Sequence, residues 1–225
     1  MWRLTDFIIN LLRWPTALIL IVFTPALAMS YRHFNFYTLN FLALGCGVFF
    51  FCFSAMASGY NIRHAMQIIA HELTHSLFAI LTLHRVSNIR LNPDESGGSM
   101  MLKGKGNWLI TLSPYFFPLP AFVYMLIMPF FVSELEGMPK FICYAVLGYF
   151  SAYYWSTVLS QVHKEQTDII REGYLFSAII IVSLNLFVTG AIFAYCSKSW
   201  GGIATYCRLL LKLTTEYIEQ TVLLF

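Results

Sequence analysis

Ile62–Leu83 reads IRHAMQIIAHELTHSLFAILTL. This apolar run is long enough for a buried helix, and it carries His71-Glu72-Leu73-Thr74-His75 at its centre. On a helix, residues four apart lie on one face, so His71 and His75 can both reach a single metal ion. Glu72 is rotated by about 100° from His71; it flanks such an ion without having to bind it. Two imidazole ligands, a carboxylate beside them and a third ligand from elsewhere form a known pattern for a zinc centre. The alternative is a helix that merely carries hydrogen-bonded histidines. An ionised carboxylate at bilayer depth costs about 2.5–3.5 kcal/mol on insertion scales. Such a group next to two histidines needs a shared reason to be there, and a divalent cation supplies one.

The composition sets the surroundings. Of 225 residues, 58% are hydrophobic and only 11% charged, against about 25% charged in a soluble domain. The chain reads as an integral membrane protein with no room for a soluble domain of ordinary size. The net charge of +3 is small and scattered, with no basic stripe to suggest nucleic acid as a partner. Cys46, Cys52, Cys143, Cys196 and Cys207 include no C-x-x-C pair and read as small apolar packing residues.

Around the central helix, the pattern predicts an all-α polytopic membrane protein with about six transmembrane helices and one small membrane-associated β-hairpin. Asp6–Met29 reads as an interfacial stretch (Phe7–Leu12) followed by a retained first span, although Ala26-Leu27-Ala28 has the small-residue look of a signal-peptidase site. Tyr37–Ser58 is a second span, about 22 residues without a charge and so able to cross about 30 Å of hydrocarbon; its Gly45 and Gly47 read as helix-packing positions. Ile62–Leu83 is the third span. His84–Gly106 does not look helical: Val86, Ile89 and Leu91 precede a turn at Asn92-Pro93-Asp94, and Gly97-Gly98-Ser99 opens a second short run to Leu102. A strand edge is not tolerated in lipid, so this hairpin belongs at the membrane surface or in a protein-lined cavity. Either it is an ordinary connection, or its free edge takes an extended peptide as an added strand.

Asn107–Val132 is a fourth span, interrupted by Pro114, Pro118 and Pro120. These prolines break or kink a helix and free carbonyls that need new partners. Phe141–Ser160 is a fifth span and Tyr174–Tyr195 a sixth, with the polar patch Gln161–Gly173 between them. Ile203–Leu224 is a C-terminal amphipathic helix, lying on the interface or packed on the bundle. The whole chain reads as a single membrane-embedded domain: accessory spans in 1–60, a core in 61–196, and the C-terminal helix in 203–225. Lys and Arg divide evenly between the two sides, so the orientation stays open.

The third ligand is sought among few residues, because the chain has only three Asp. Asp6 stands at the extreme N-terminus and is the least suited. Asp94 is explained by turn chemistry. Asp168, in a cluster with His163 and Glu165, is preferred; Asp94, Glu165 or His163, or no third ligand, are the remaining options.

With His71-Glu72-x-x-His75, the Gly97-Gly98-Ser99 hairpin, the Pro-rich fourth span and Asp168 in place, the chain resembles the site-2 protease family of intramembrane zinc metalloproteases, in a compact form without a PDZ domain. The resemblance covers Ile62 to Asn185, more than half of the chain. It implies one zinc ion, with His71 and His75 as ligands and an Asp on a later transmembrane helix, here matched to Asp168, as the third. It also implies Glu72 as general base towards a zinc-activated water, and a membrane protein or peptide as substrate. Gly98 and Ser99 of the hairpin are the expected substrate contacts. Asn107, at the head of the fourth span, is a third, either towards the substrate backbone or as an oxyanion donor; a helix-start amide is its ordinary role. Asn185 is read as a helix–helix hydrogen-bonding residue. The sequence departs from the family at the third ligand, which usually stands in an Asn-Pro or Leu-Asp-Gly context; here the run is Gln166-Thr167-Asp168-Ile169, with Gly173 following. The expected location is a multi-pass position in a bilayer, in a bacterial inner membrane.

Two rival readings are retained. A CAAX-type membrane zinc protease also carries HExxH, but needs a downstream Glu-x-x-x-Asp, and Glu165-x-x-Asp168 is one residue short. The other is a transporter, channel or scaffold with a structural metal or none; a pure scaffold has no use for a base beside the ligands, which makes Glu72 the discriminating residue.

Overall fold

The computed structural model describes residues 2–57, 60–92, 97–102 and 104–223. The chain is a bundle of helices with one two-stranded sheet. α1 (Trp2–Leu11) and α2 (Arg13–Ser30) meet at Leu12, as the interfacial stretch followed by a span predicts. α1 turns Leu4, Phe7, Ile8 and Leu11 outwards and buries Asp6. α2 runs without a break through Ala26 and Leu27, which are both buried, and a 3-10 turn over Tyr31–His33 ends it. α3 (Leu39–Ala57) and α4 (Tyr60–Leu81) follow, and α4 holds the histidine pair.

The hairpin forms where the sequence loses helical periodicity. β1 (Val86–Asn92) pairs antiparallel with β2 (Gly97–Leu102), from Val86↔Leu102 to Asn92↔Gly97, with an irregularity between Val86 and Asn88. Gly98 stands opposite Leu91 and Ser99 opposite Arg90. Asp94 lies outside the described residues.

Next come α5 (Trp108–Leu112), a 3-10 turn at Ser113–Tyr115, α6 (Leu119–Ile127) and α7 (Pro129–Val132). The prolines break this stretch, and its two limbs bend by 81°. α8 (Gly137–Gln161), the short α9 (Thr167–Glu172) and α10 (Tyr174–Val222) complete the chain. α10 is not one rod: Lys198 and Ser199 leave helical geometry. Gly190 and Tyr206 would lie about 24 Å apart along a straight helix, yet a Cβ on Gly190 would meet the Tyr206 hydroxyl at 2.1 Å. The second limb therefore folds back on the first and packs Tyr206 and Leu210 against Leu27 and Ala194.

The expected number of about six spans is supported only in part. Among the described residues three helices are long and apolar enough to cross a membrane, namely Arg13–His33, Leu39–Ala57 and Tyr174–Val222; a fourth is added if the bent pair Trp108–Tyr115 and Leu119–Val132 acts as one. α4 and α8 have the length, at 22 and 25 residues, but too many polar groups. α4 buries Gln67, His71, Glu72, Thr74, His75 and Ser76, and α8 buries Ser151 and Thr157.

Packing differs between the two ends. α3 and α8 touch backbone to backbone: a Cβ on Gly47 would sit 1.8 Å from the Ala145 carbonyl oxygen, and one on Gly148 would sit 2.1 Å from that of Leu44. Gly47 is thus the close-approach residue that its sequence context suggested. Gly45 is not, since it faces open space. An apolar core of Phe41, Leu44, Met125, Leu147, Ile192 and Tyr195 fills this end. A second cluster around Trp108, Leu112, Tyr115, Phe116, Phe176 and Ile180 backs the polar site.

Candidate metal centre

His71 and His75 project from one face of α4, their ring centroids 4.6 Å apart. Each ring has its outer nitrogen engaged. His71 Nδ1 lies 2.6 Å from Gln161 Oε1, at the end of α8. His75 Nδ1 lies 2.8 Å from the carbonyl oxygen of Ile110 on α5. An oxygen of this kind only accepts, so both Nδ1 atoms carry the proton and both Nε2 atoms keep a free lone pair. Those two Nε2 atoms lie 3.1 Å apart and face the same point. Two lone pairs at that separation repel one another, and a cation between them removes the conflict.

A carboxylate completes the set. Asp168 Oδ2 lies 3.7 Å from His71 Nε2 and 3.3 Å from His75 Nε2. One ligand atom from each of the three residues falls within 4.8 Å of the others. Two imidazoles and one carboxylate are a donor set that suits zinc with an open fourth position. Asp168 stands in the first turn of α9, before α10 rather than within it.

The supports of these ligands come from distant parts of the chain. Tyr115, fully buried in the proline turn, donates its hydroxyl to Asp168 Oδ2 at 3.2 Å. Its own carbonyl accepts from Asn185 Nδ2 at 2.7 Å, and Asn185 Oδ1 accepts from the Tyr154 hydroxyl at 2.5 Å. Asn185 thus joins α10 to α8 and to the turn. α9 is gripped on two sides. Arg13 donates to the Glu172 carbonyl, lies 3.6 Å from its carboxylate and stacks 4.4 Å above the Phe176 ring; Arg171 donates to the Lys105 carbonyl. The Ile110 carbonyl also accepts the N–H and the hydroxyl of Ser113; Pro114, four residues on, has no N–H to add to them.

A cavity of about 590 Å³ opens on His71, His75 and Asp168, with Glu72 in its lining together with Met101 of β2 and Lys105, three residues after that strand. Glu72 is itself 5% exposed, so the base expected beside the metal lines the same cavity as the ligands. His163 and Glu165 are exposed and, among the described residues, outside the ligand cluster. Asn107 has another occupation. It is 1% exposed, its amide nitrogen donates to Asp6 at 2.8 Å, and its oxygen accepts from the Ile110 N–H at 3.2 Å, capping α5. Gly98 and Ser99 are placed on β2 by their pairing.

Sequence reasoning missed Gln161, Tyr115 and the Ile110 carbonyl. A backbone carbonyl leaves no trace in side-chain identity. Pro114 was the one signal available, because it removes the usual helical donor to the carbonyl four residues earlier.

Residues 59–154 match the family model described as Peptidase M50B-like. No curated protein and no solved structure gives a match. The matched segment takes in the His71–His75 helix, the hairpin, the proline turn and most of α8; Asp168 lies beyond it. Over this segment the chain is similar to that peptidase family, and several long apolar helices mark an integral membrane protein.

Proposed function

We propose that the chain is an intramembrane zinc metalloendopeptidase that hydrolyses a peptide bond in or near a transmembrane segment of a membrane protein. The observation that carries this reading is the convergence of His71 Nε2, His75 Nε2 and an Asp168 carboxylate oxygen, with Glu72 in the lining of the same cavity. Zinc held by these three residues would supply Lewis acidity and lower the pKa of water. The other tasks fall to the chain. Glu72 takes a proton from the attacking water and returns it to the leaving amine. Gln161 and the Ile110 carbonyl keep both imidazoles in the tautomer that presents Nε2. Tyr115 fixes the rotamer of Asp168.

The substrate must present an extended backbone, because a closed helix hides its peptide bonds. Substrate segments that unwind easily are therefore favoured. The β1–β2 hairpin supplies Met101 to the cavity wall. Its free edge, with Gly98 and Ser99 on β2, would receive such a segment by strand addition. Asn107 is assigned no substrate contact in this reading, since both ends of its amide are engaged within the fold. The protein is taken to span the bilayer several times, in a bacterial inner membrane.

Glu72→Gln tests the assignment. The variant is expected to retain zinc and to lose cleavage of a transmembrane peptide in detergent or liposomes by about 10²- to 10⁴-fold. Cleavage at the wild-type rate by a zinc-loaded Glu72→Gln variant would contradict it.

A further inference from the structure

Asp6 is the buried residue of α1, on the side where Trp2, Thr5 and Ile9 are half-buried. An apolar side chain would anchor this helix without desolvating a charge. A buried carboxylate costs several kcal/mol unless it is paired and hydrogen-bonded, so its partners matter. Oδ1 accepts from Asn107 Nδ2 at 2.8 Å. Both oxygens lie 3.1 Å from His84 Nε2. His84 closes the end of α4, its backbone N–H bonded to the Ala79 carbonyl at 2.8 Å and its Nδ1 lying 3.1 Å from Thr82 Oγ1.

These contacts continue to the metal ligands. Asn107 Oδ1 holds the Ile110 N–H, and the carbonyl of that same Ile110 accepts from His75 Nδ1. His84 terminates the helix on which His75 itself stands. One carboxylate thus grips both the helix that carries His75 and the short helix that orients it. Without Asp6, the Asn107 amide loses the partner that fixes its rotation, and the cap on α5 loosens with it. We infer that Asp6 is a positioning residue for the metal centre, setting the orientation of His75 through Asn107 and the carbonyl of Ile110. This inference rests on the metal reading given above.

The same helix supplies its own control. Thr5 Oγ1 donates to the Thr82 carbonyl at 2.9 Å, which fastens α1 to the end of α4 without touching Asn107, through which Asp6 reaches the Ile110 carbonyl. Thr5→Val therefore removes an anchor only, whereas Asp6→Ala removes an anchor and the link to His75.

The experiment is a cobalt(II) titration of the full chain in detergent after chelation, with zinc competition. It compares wild type, Thr5→Val, Asp6→Ala and Asp6→Asn by affinity, visible spectrum and Tm. Asp6→Ala is expected to weaken metal affinity about tenfold, the lower end of what loss of an outer-shell partner costs, and to alter the cobalt spectrum. Asp6→Asn keeps the shape without the charge and should fall between Asp6→Ala and wild type. Thr5→Val should lower Tm and leave affinity and spectrum at wild-type values. Wild-type affinity and spectrum in a folded Asp6→Ala variant would overturn the inference, as would equal weakening by Thr5→Val. If Asp6→Ala does not fold, Asp6→Asn decides: a shifted spectrum supports the inference and an unchanged one overturns it. Wild-type protein that binds neither ion would overturn the metal reading, and this inference with it; failure of the inference alone requires a wild type that binds.

Discussion

The two ends of the bundle are held by different physics. Around α3, α6, α8 and α10 the core is apolar, and the contacts are those of fitted shapes: Leu147 without exposure, Gly47 and Gly148 letting two backbones touch. Around α4, α5 and α9 the interior holds Asp6, His71, Glu72, His75, His84 and Asn107. A buried polar group without a partner costs about 1–3 kcal/mol, and the partners here come from far along the chain. Gln161 serves His71 and Tyr115 serves Asp168, while Asp6 serves His84 and Asn107. Shape fitting secures the fold. Hydrogen bonding at the other end fixes ring tautomers and carboxylate rotamers, which is what a metal site requires.

If this contrast is right, substitutions should separate metal affinity from stability. The largest expected effect on the polar end is that of Gln161→Ala, which frees the His71 ring. Zinc affinity should fall by about 10- to 100-fold with little change in Tm, as measured by competition against a chromophoric chelator. Gly47→Ala attacks the other end. Its new methyl meets the Ala145 backbone, so stability should drop by about 1–3 kcal/mol in a detergent unfolding assay, while zinc bound per folded chain is unchanged. Tyr115→Phe removes only the hydroxyl that holds Asp168, with an expected loss in zinc affinity of about tenfold, at the weaker end for such partners. Gly45→Ala is the smallest: it lies two residues from Gly47 but faces open space, and its effect should stay within about 0.5 kcal/mol. Comparable losses for Gly45→Ala and Gly47→Ala would remove the close-packing account of the apolar end. A zinc affinity that fell with Gly47→Ala would show that the two ends are not separate.

Much of this contrast is legible in the sequence wherever the physics is local. The four-residue spacing of His71 and His75 states a shared helical face, and the prolines of the fourth span state a break, seen as the 81° bend. The loss of helical period after His84 states the hairpin. What depends on contacts between distant segments is not legible. Asp6 stands 65 positions before His71 in the sequence and looks like a terminal charge, yet it is buried among groups from two other helices. Gln161 reads as the polar end of a span. The fold-back of α10 requires a left-handed residue, Ser199, which its sequence does not announce. The count of about six spans is not confirmed: α4 and α8 are long enough but devote part of their surface to polar groups.

The central claim is that His71, His75 and Asp168 bind one metal ion, and elemental analysis of purified full-length protein tests it most directly. The account predicts about one zinc per chain in the wild type, lost in His71→Ala and strongly reduced in Asp168→Ala. A wild type free of metal after preparation without chelators, or zinc that persists in both variants, would contradict it.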